Sequence, residues 1–261
     1  MKNLLEIKNV HVEIKSSTTG NVYPLKGINL KLGHSESVGL VGESGCGKSM
    51  ILRTILRILP YGGYQSHGEI NLNEERIDNT SLKEYEKIRG KKISMIFQNP
   101  VSALSPLMQV GEQISDIYRY NFKATKSEGR EVALNLINAL GIVNPKKVAL
   151  QYPHQMSGGM AQRINIAMAM ACNPELLLAD EPTTGLDVTT QIQVLQLLRE
   201  QLTRLNASLL FVSHDLKVIK YLCTKVGVMY GGIIVEFGEI KDIFSTPSHP
   251  YTQRLLENAK L

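Results

Sequence analysis

Residues 42–49 read GESGCGKS and fit the pattern G-x-x-x-x-G-K-[ST]. Glycines at 42, 45 and 47 let the backbone turn so that its N–H groups converge on anionic oxygens, and a helix that follows aims its N-terminus at the same point. Lys48 has the reach and the charge to meet the β- and γ-phosphates of a nucleoside triphosphate, and Ser49 offers a hydroxyl to Mg²⁺. Cys46 reads as a small neutral residue at a variable position of the loop, with an oxidation-sensitive thiol as the other reading. Further on, Leu176-Leu177-Leu178-Ala179 runs into Asp180-Glu181. A carboxylate ending an apolar strand suits Asp180 to Mg²⁺, directly or through water, and Glu181 to polarising an attacking water as general base. Gln98 closes the run ISMIF with an amide able to reach the metal or the water. His214 follows SLLFV through Ser213 and is a candidate γ-phosphate contact.

A second glycine signature, Ser157-Gly158-Gly159-Met160, opens the helical run AQRINIAMAMA. Ser157 is a good N-cap, and the glycines leave backbone donors exposed for a second γ-phosphate site. The expected use is a head-to-tail dimer, in which Ser157 of one chain caps the nucleotide of the other.

The elements that must position these groups alternate. Residues 4–14 read as a strand, Thr18-Thr19-Gly20-Asn21 as a turn, Ile28–Leu32 as a strand with a turn at Gly33-His34, and Ser37–Val41 as a short strand entering the glycine loop. A helix is expected over 48–59, ended by Pro60-Tyr61-Gly62-Gly63, and a strand over 93–97. Residues 99–155 contain Pro100, Pro106 and Pro145 and read as a mainly helical insertion, with helices near 108–122 and 127–141. In the second, Val132, Leu136, Ala139 and Leu140 form an apolar stripe. A helix from Ser157 to about Cys172, a strand 176–179, a helix 189–206 and a strand 208–212 follow. Residues 227–240 read as a hairpin turning at Gly231-Gly232. Strands alternating with helices imply an α/β fold with a largely parallel sheet.

Composition sets the bounds. The chain has 261 residues, 43% hydrophobic and 20% charged, which is ordinary for a globular protein with a sizeable core. Lys and Arg number 29 against 24 Asp and Glu, for a net charge of +5. These charges are dispersed, without the basic stripe of a nucleic-acid binder, so no nucleic-acid partner is expected. Cys46, Cys172 and Cys223 lack paired spacing, which argues against a disulfide framework or a zinc site and fits a reducing cytosol. The N-terminus has no signal-peptide core, and no apolar run approaches the ~18–20 residues that span a bilayer. Any action at a membrane is expected to go through partners.

In order along the chain, GESGCGKS (42–49), Gln98, MSGGM (156–160), LLLADE (176–181), GLD (185–187) and His214 resemble the ATP-binding cassette (ABC) ATPases. The resemblance implies an α/β, ABC-type nucleotide-binding domain: a RecA-like P-loop core with an antiparallel β subdomain (1–98 and 156–242), a helical subdomain (99–155) and a short C-terminal tail (243–261). It implies ATP and Mg²⁺, with Gly42, Ser44, Gly45, Cys46, Gly47, Lys48, Ser49 and Met50 around the nucleotide. Lys48, Glu181 and His214 would be catalytic; Ser49, Gln98 and Asp180 would hold the metal; Ser157, Gly158 and Gly159 would cap the ATP of a second cassette. It also puts Gln98 in the loop that senses a transmembrane partner and Asp187 in the loop crossing between cassettes. The family stacks an aromatic ring on adenine; here Ile14 and its neighbours stand at that place, and Tyr23 is the nearest aromatic, readable equally as a packing residue at a strand edge.

IFQNPVSALSP (96–106), YPHQMSGGMAQR (152–163), ADEPTTGLDVTTQ (179–191) and SHPYTQRLL (248–256), with its typical HPYT element, look like the peptide/nickel importer subfamily. Such importers combine two ATPases, two transmembrane permeases and an extracytoplasmic binding protein. The implied role is to energise uptake of di- or oligopeptides from the cytoplasmic face of the cell membrane, as a peripheral subunit; nickel or metal–chelator import is the alternative. The second ATPase would be a related subunit or another copy of this chain. Many peptide-type members carry a cysteine-rich C-terminal extension with an iron–sulfur cluster; no such cysteines follow here, so no cluster is expected, which leans toward the shorter nickel-type members. The signature reads SGGM rather than the commoner SGGQ. A non-transport ABC ATPase is the remote alternative, opposed by the single cassette, a helical insertion of about 55 residues and the lack of heptads. Glu181 and His214 both stand, against a degenerate cassette that binds without turnover.

Overall fold

Apolar residues alternating along the first strand already fix one buried face: Leu5, Ile7, Val10 and Val12 of β1 (Asn3–Ile14) are buried. A computed structural model describes residues 2–15 and 20–259. The Thr18-Thr19 part of the expected turn lies outside the described residues. The chain then forms β2 (Val22–Gly33), β3 (Ser37–Val41), α1 (Lys48–Ile55), β4 (Gly63–Leu72), β5 (Glu75–Arg76), α2 (Leu82–Tyr85) and β6 (Ile93–Ile96). Next come α3 (Pro100–Ala103), α4 (Val110–Phe122), α5 (Lys126–Ala139), α6 (Pro145–Ala149), α7 (Gly158–Met170), β7 (Leu176–Asp180) and α8 (Val188–Leu205). The last part holds β8 (Ser208–Val212), α9 (Leu216–Leu222), β9 (Lys225–Tyr230), β10 (Ile233–Glu239), α10 (Ile240–Ser245) and α11 (Pro250–Asn258).

The chain divides into two units, Met1–Leu82 with Ser208–Leu261, and Lys83–Ala207. In the first, β1 pairs antiparallel with β2 and β4, and β4 with β5. The other strands of this unit are parallel where the chemistry lies: β3 runs beside β8 and β9, with Leu40 opposite Val212 and Gly227. β10 returns antiparallel on β9 through Gly231 and Gly232, at φ 57° and 90°, the left-handed pair of a two-residue hairpin turn. In the second unit, β6 and β7 are parallel, with Ile96 opposite Ala179. The mixed α/β class and the antiparallel β portion are as expected from the sequence.

Several boundaries differ. β2 covers Val22–Gly33 rather than 28–32, because pairing to β1 as far as Ile14↔Val22 satisfies the backbone of residues 22–27, where burial does not alternate regularly. β4 and β5 come from a stretch with no strand pattern; β4 carries only two fully buried side chains, Ile70 and Leu72. α1 stops at Ile55, not at residue 59. Arg57 turns to φ 54°, and Ile58 N–H donates to the Arg53 carbonyl at 2.9 Å, closing the helix a turn before Pro60. β6 ends at Ile96, leaving Phe97 exposed. The core stripe of α5 is Ala133, Leu136, Ile137 and Leu140; Val132 and Ala139 flank it, half-buried. Residues 243–261, read as a polar tail, carry the second half of α10 and the whole of α11.

Candidate active site

In the first unit, the glycine loop leaves β3 at Val41 and enters α1 at Lys48. Gly47 is the N-cap at φ 108°, and a Cβ there would press into the Pro24 carbonyl. Gly42 is equally confined: a Cβ would run into the Met229 carbonyl. Gly45, at φ 82°, faces open space, so its demand is conformational alone. Lys48 is buried and folds back over the loop, its Nζ donating to the carbonyls of Gly42 and Glu43 at 2.7 and 2.9 Å. The Cys46 sulfur is 3.7 Å from the same nitrogen. The loop thus presents a narrow glycine cradle with one buried cation inside it, which fits a polyphosphate.

Register places His214 near this loop. β8 ends at Val212 opposite Leu40, and Ser213 N–H still donates to the Leu40 carbonyl at 3.2 Å. His214 is therefore exposed at the same strand edge from which Gly42 begins. Asp215 caps α9 by accepting from Lys217 N–H at 2.8 Å. Tyr23 is exposed and precedes Pro24, whose carbonyl abuts Gly47, so the aromatic stands one residue from a close contact of the loop.

In the second unit, β7 delivers a buried Asp180 and then Glu181, whose backbone is left-handed at φ 44°. Such a conformation costs a non-glycine residue about 1–3 kcal/mol and is concentrated at functional sites. The Glu181 carboxylate accepts from Gln98 Nε2 at 3.2 Å and from Thr184 Oγ1 at 3.1 Å. Gln98 is brought there by the β6–β7 pairing, and Asn165 of α7 anchors the end of β6 by donating to the Phe97 carbonyl at 3.0 Å. An amide oxygen, a buried carboxylate and a serine hydroxyl are hard oxygen donors of the kind Mg²⁺ selects. Gln98 and Asp180 meet that description in this unit, and Ser49 in the other.

The glycine signature lies in the second unit too. Ser157 caps α7 by accepting from Met160 N–H at 3.3 Å. Gly159 lies against Thr190, where a Cβ would overlap the threonine methyl. Asp187 caps α8, accepting from Thr190 N–H at 3.0 Å, and the hydrogen bond from that amide holds its carboxyl below the usual carboxylate range. Together Ser157–Met160 and Gly185–Asp187 line an open groove of about 520 Å³, so two motifs far apart in sequence share one surface. Arg163 also lines it, donating to the Gly141 carbonyl at 3.2 Å and to Gln193 Oε1 at 2.9 Å.

Sequence reasoning missed Arg163, Thr184 and Tyr251. Arg163 is one turn beyond the signature glycines, a spacing that was there to be used. Nothing local flags Thr184 as a partner of Glu181. Tyr251 belongs to the HPYT element, and its hydroxyl accepts from Glu43 N–H of the phosphate loop at 3.1 Å. That contact joins residues 208 apart and has no sequence signal.

The ABC transporter family profile matches residues 25–184. Among curated relatives, the oligopeptide transport ATP-binding protein OppD of Bacillus subtilis is 43% identical over 97% of this chain and 71% of its own length. The probable D,D-dipeptide transport ATP-binding protein DdpD of Escherichia coli is 41% identical over 98% of this chain and 78% of its own. Among solved structures, the ATP-binding cassette MJ0796, a dimer in a post-hydrolysis state with ADP and Pi, superimposes with a TM-score of 0.81 at 28% identity, covering 90% of this chain and 98% of that one.

Proposed function

This chain belongs to the ABC transporter family and is an ATP-binding ATPase of that family, and from there we propose that it energises a di- or oligopeptide importer. The observation that carries the catalytic part is Glu181: a strained residue at the end of a buried strand, its carboxylate held by Gln98 and Thr184. A fixed carboxylate so placed orients and deprotonates water. Lys48 exchanges the loop carbonyls for β- and γ-phosphate oxygens, and the loop residues Gly42, Ser44, Gly45, Cys46, Gly47, Ser49 and Met50 surround the phosphates. His214 contacts the γ-phosphate, and Tyr23 supplies a face to the adenine. Ser49, Gln98 and Asp180 are the oxygen donors for Mg²⁺, which when bound offsets the charge of the phosphates. Residues 99–155 act as the helical subdomain toward the permeases.

Ser157, Gly158, Gly159 and Asp187 share one groove in the second unit, which supports their use toward a second cassette's ATP in a dimer. Two permeases, a second ATPase and, indirectly, an extracytoplasmic binding protein complete the proposed assembly, with this chain peripheral on the cytoplasmic face. Among the described residues no helix is long and apolar enough to cross a membrane. Peptide as cargo is supported by the relatives named above, all at 40% identity or more.

The test is to tag the chain, extract native membranes gently, identify the copurifying proteins, and titrate the associated binding protein with a peptide panel and with Ni²⁺. Two permeases, a second cassette and peptide binding are expected. Binding of Ni²⁺ alone would replace peptide by nickel as cargo. Recovery of soluble partners or nucleic acid only would overturn the transport role. In the same complex, Glu181→Gln is expected to bind ATP and lose hydrolysis by at least about a hundredfold; unchanged turnover would remove Glu181 from the role of base.

A further inference from the structure

The SHPYTQRLL element has no part in the chemistry described so far, yet it reaches the phosphate loop. α11 starts at Pro250, and the segment before it is fastened to β10: the Glu236 carboxylate accepts from Ser248 N–H and Oγ at 2.7 and 2.8 Å and from His249 N–H at 3.2 Å. His249 Nδ1 in turn accepts from Tyr251 N–H at 3.1 Å and caps the helix. Tyr251 is buried, its ring packed on Tyr230 at 4.6 Å between centroids, and its hydroxyl accepts from Glu43 N–H at 3.1 Å.

The Gly42 carbonyl and the Glu43 N–H are the two ends of one peptide unit. That unit is held from both sides, its oxygen by Lys48 Nζ at 2.7 Å and its N–H by Tyr251 at 3.1 Å. The peptide plane cannot rotate without breaking both bonds. The hairpin supports the same loop: Gly232 N–H donates to the Cys46 carbonyl at 3.2 Å, and the Met229 carbonyl closes the space beside Gly42.

We propose that Tyr251 is a positioning residue for phosphate binding: it fixes the Gly42–Glu43 peptide, and through it the place from which Lys48 moves onto the β-phosphate. A preorganised loop spends no affinity on ordering itself when the nucleotide arrives. The hydroxyl suits the task because burial pushes the Tyr251 phenol above its usual range, leaving it a neutral acceptor at any physiological pH. This role rests on the reading of residues 42–49 as the ATP-binding loop.

The test uses the purified full chain and titrates ADP and AMP into wild type, Tyr251→Phe and Tyr230→Phe. Loss of one hydrogen bond is expected to weaken ADP about three- to tenfold in Tyr251→Phe while AMP, which lacks the β-phosphate, is unchanged. Tyr230→Phe, which keeps the ring packed against Tyr251 and removes a different hydroxyl, is expected to match wild type for both. Equal ADP affinity in wild type and Tyr251→Phe, or equal weakening of ADP and AMP, would overturn the proposal. Absence of ADP binding by wild type would instead overturn the reading of the loop itself. Amide hydrogen exchange in the wild-type protein tests the same contact without a substitution. The Glu43 N–H is expected to exchange about tenfold or more slower than an unstructured amide, and a free rate refutes the clamp.

Discussion

Replacing Glu181 by glycine and by alanine separates its chemistry from its backbone. Both substitutions remove the carboxylate and the hydrogen bonds from Gln98 and Thr184, at 3.2 and 3.1 Å, so that loss is common to the pair. They differ at Cβ. The backbone stands at φ 44°, where an L side chain costs about 1–2 kcal/mol and glycine costs nothing. Against that, glycine gives the unfolded chain more freedom, a penalty of about 0.4–1 kcal/mol. The difference leaves Glu181→Gly ahead of Glu181→Ala by about 0.5–1 kcal/mol, the reverse of the usual order in regular structure. For a chain of this length that is about 1–3 °C in Tm, measurable by thermal unfolding of the nucleotide-free proteins. Both variants are expected to bind ATP and to lose hydrolysis by at least about a hundredfold. An alanine variant as stable as the glycine variant would refute the strain, and retained turnover in either would refute the base.

Lys48→Ala removes a charge-assisted contact to phosphate and is expected to weaken ATP about ten- to a hundredfold in a fluorescent-nucleotide titration. Gly47→Ala forces an L residue to φ 108° against the Pro24 carbonyl, and thermal unfolding is expected to show a loss of about 2 kcal/mol or more. The Asp187 carboxyl titrates lower folded than unfolded, so as the pH falls the unfolded chain takes the proton first. Its contribution to stability is complete above the ordinary carboxylate range and is lost as the pH drops through it. Asp187→Asn is expected to flatten that acid limb in urea titrations between about pH 2 and 5, and an unchanged limb contradicts the cap. Chelation with EDTA is expected to reduce hydrolysis to background and added Mg²⁺ to restore it; turnover that survives chelation contradicts a metal held by Ser49, Gln98 and Asp180.

Much of the fold was legible where the pattern is local. Ser37–Val41 into GESGCGKS, Leu176–Asp180 into Glu181, and Ser157 before a helix each carry their own signal: an apolar strand, a glycine run or a cap. β4 was not legible, since a strand that fully buries only Ile70 and Leu72, both at its end, lacks the alternation that marks a strand with one buried face. The end of α1 was misread because Arg57 has no sequence mark for φ 54°; its turn is imposed by how the chain closes on the Arg53 carbonyl. In α5 the pattern showed a helix but gave the wrong edge of its stripe, since 3.6-residue periodicity leaves the buried direction to whichever neighbour packs against it.

Sequence by itself determined the chemical inventory of this protein: a phosphate loop with Lys48, a strand-end carboxylate pair, Gln98, His214 and the Ser157 signature, in an order that names the family. Residue type and spacing suffice there because each motif is read within a few residues of backbone. Tertiary structure alone decided what holds those residues in place. It bent Glu181 to φ 44° beside Gln98 and Thr184, joined Ser157 to Asp187 in one groove, and set Tyr251 on the amide of Glu43. Such contacts join residues up to 208 positions apart, and only the packing of the strands and helices between them brings the partners within hydrogen-bond reach.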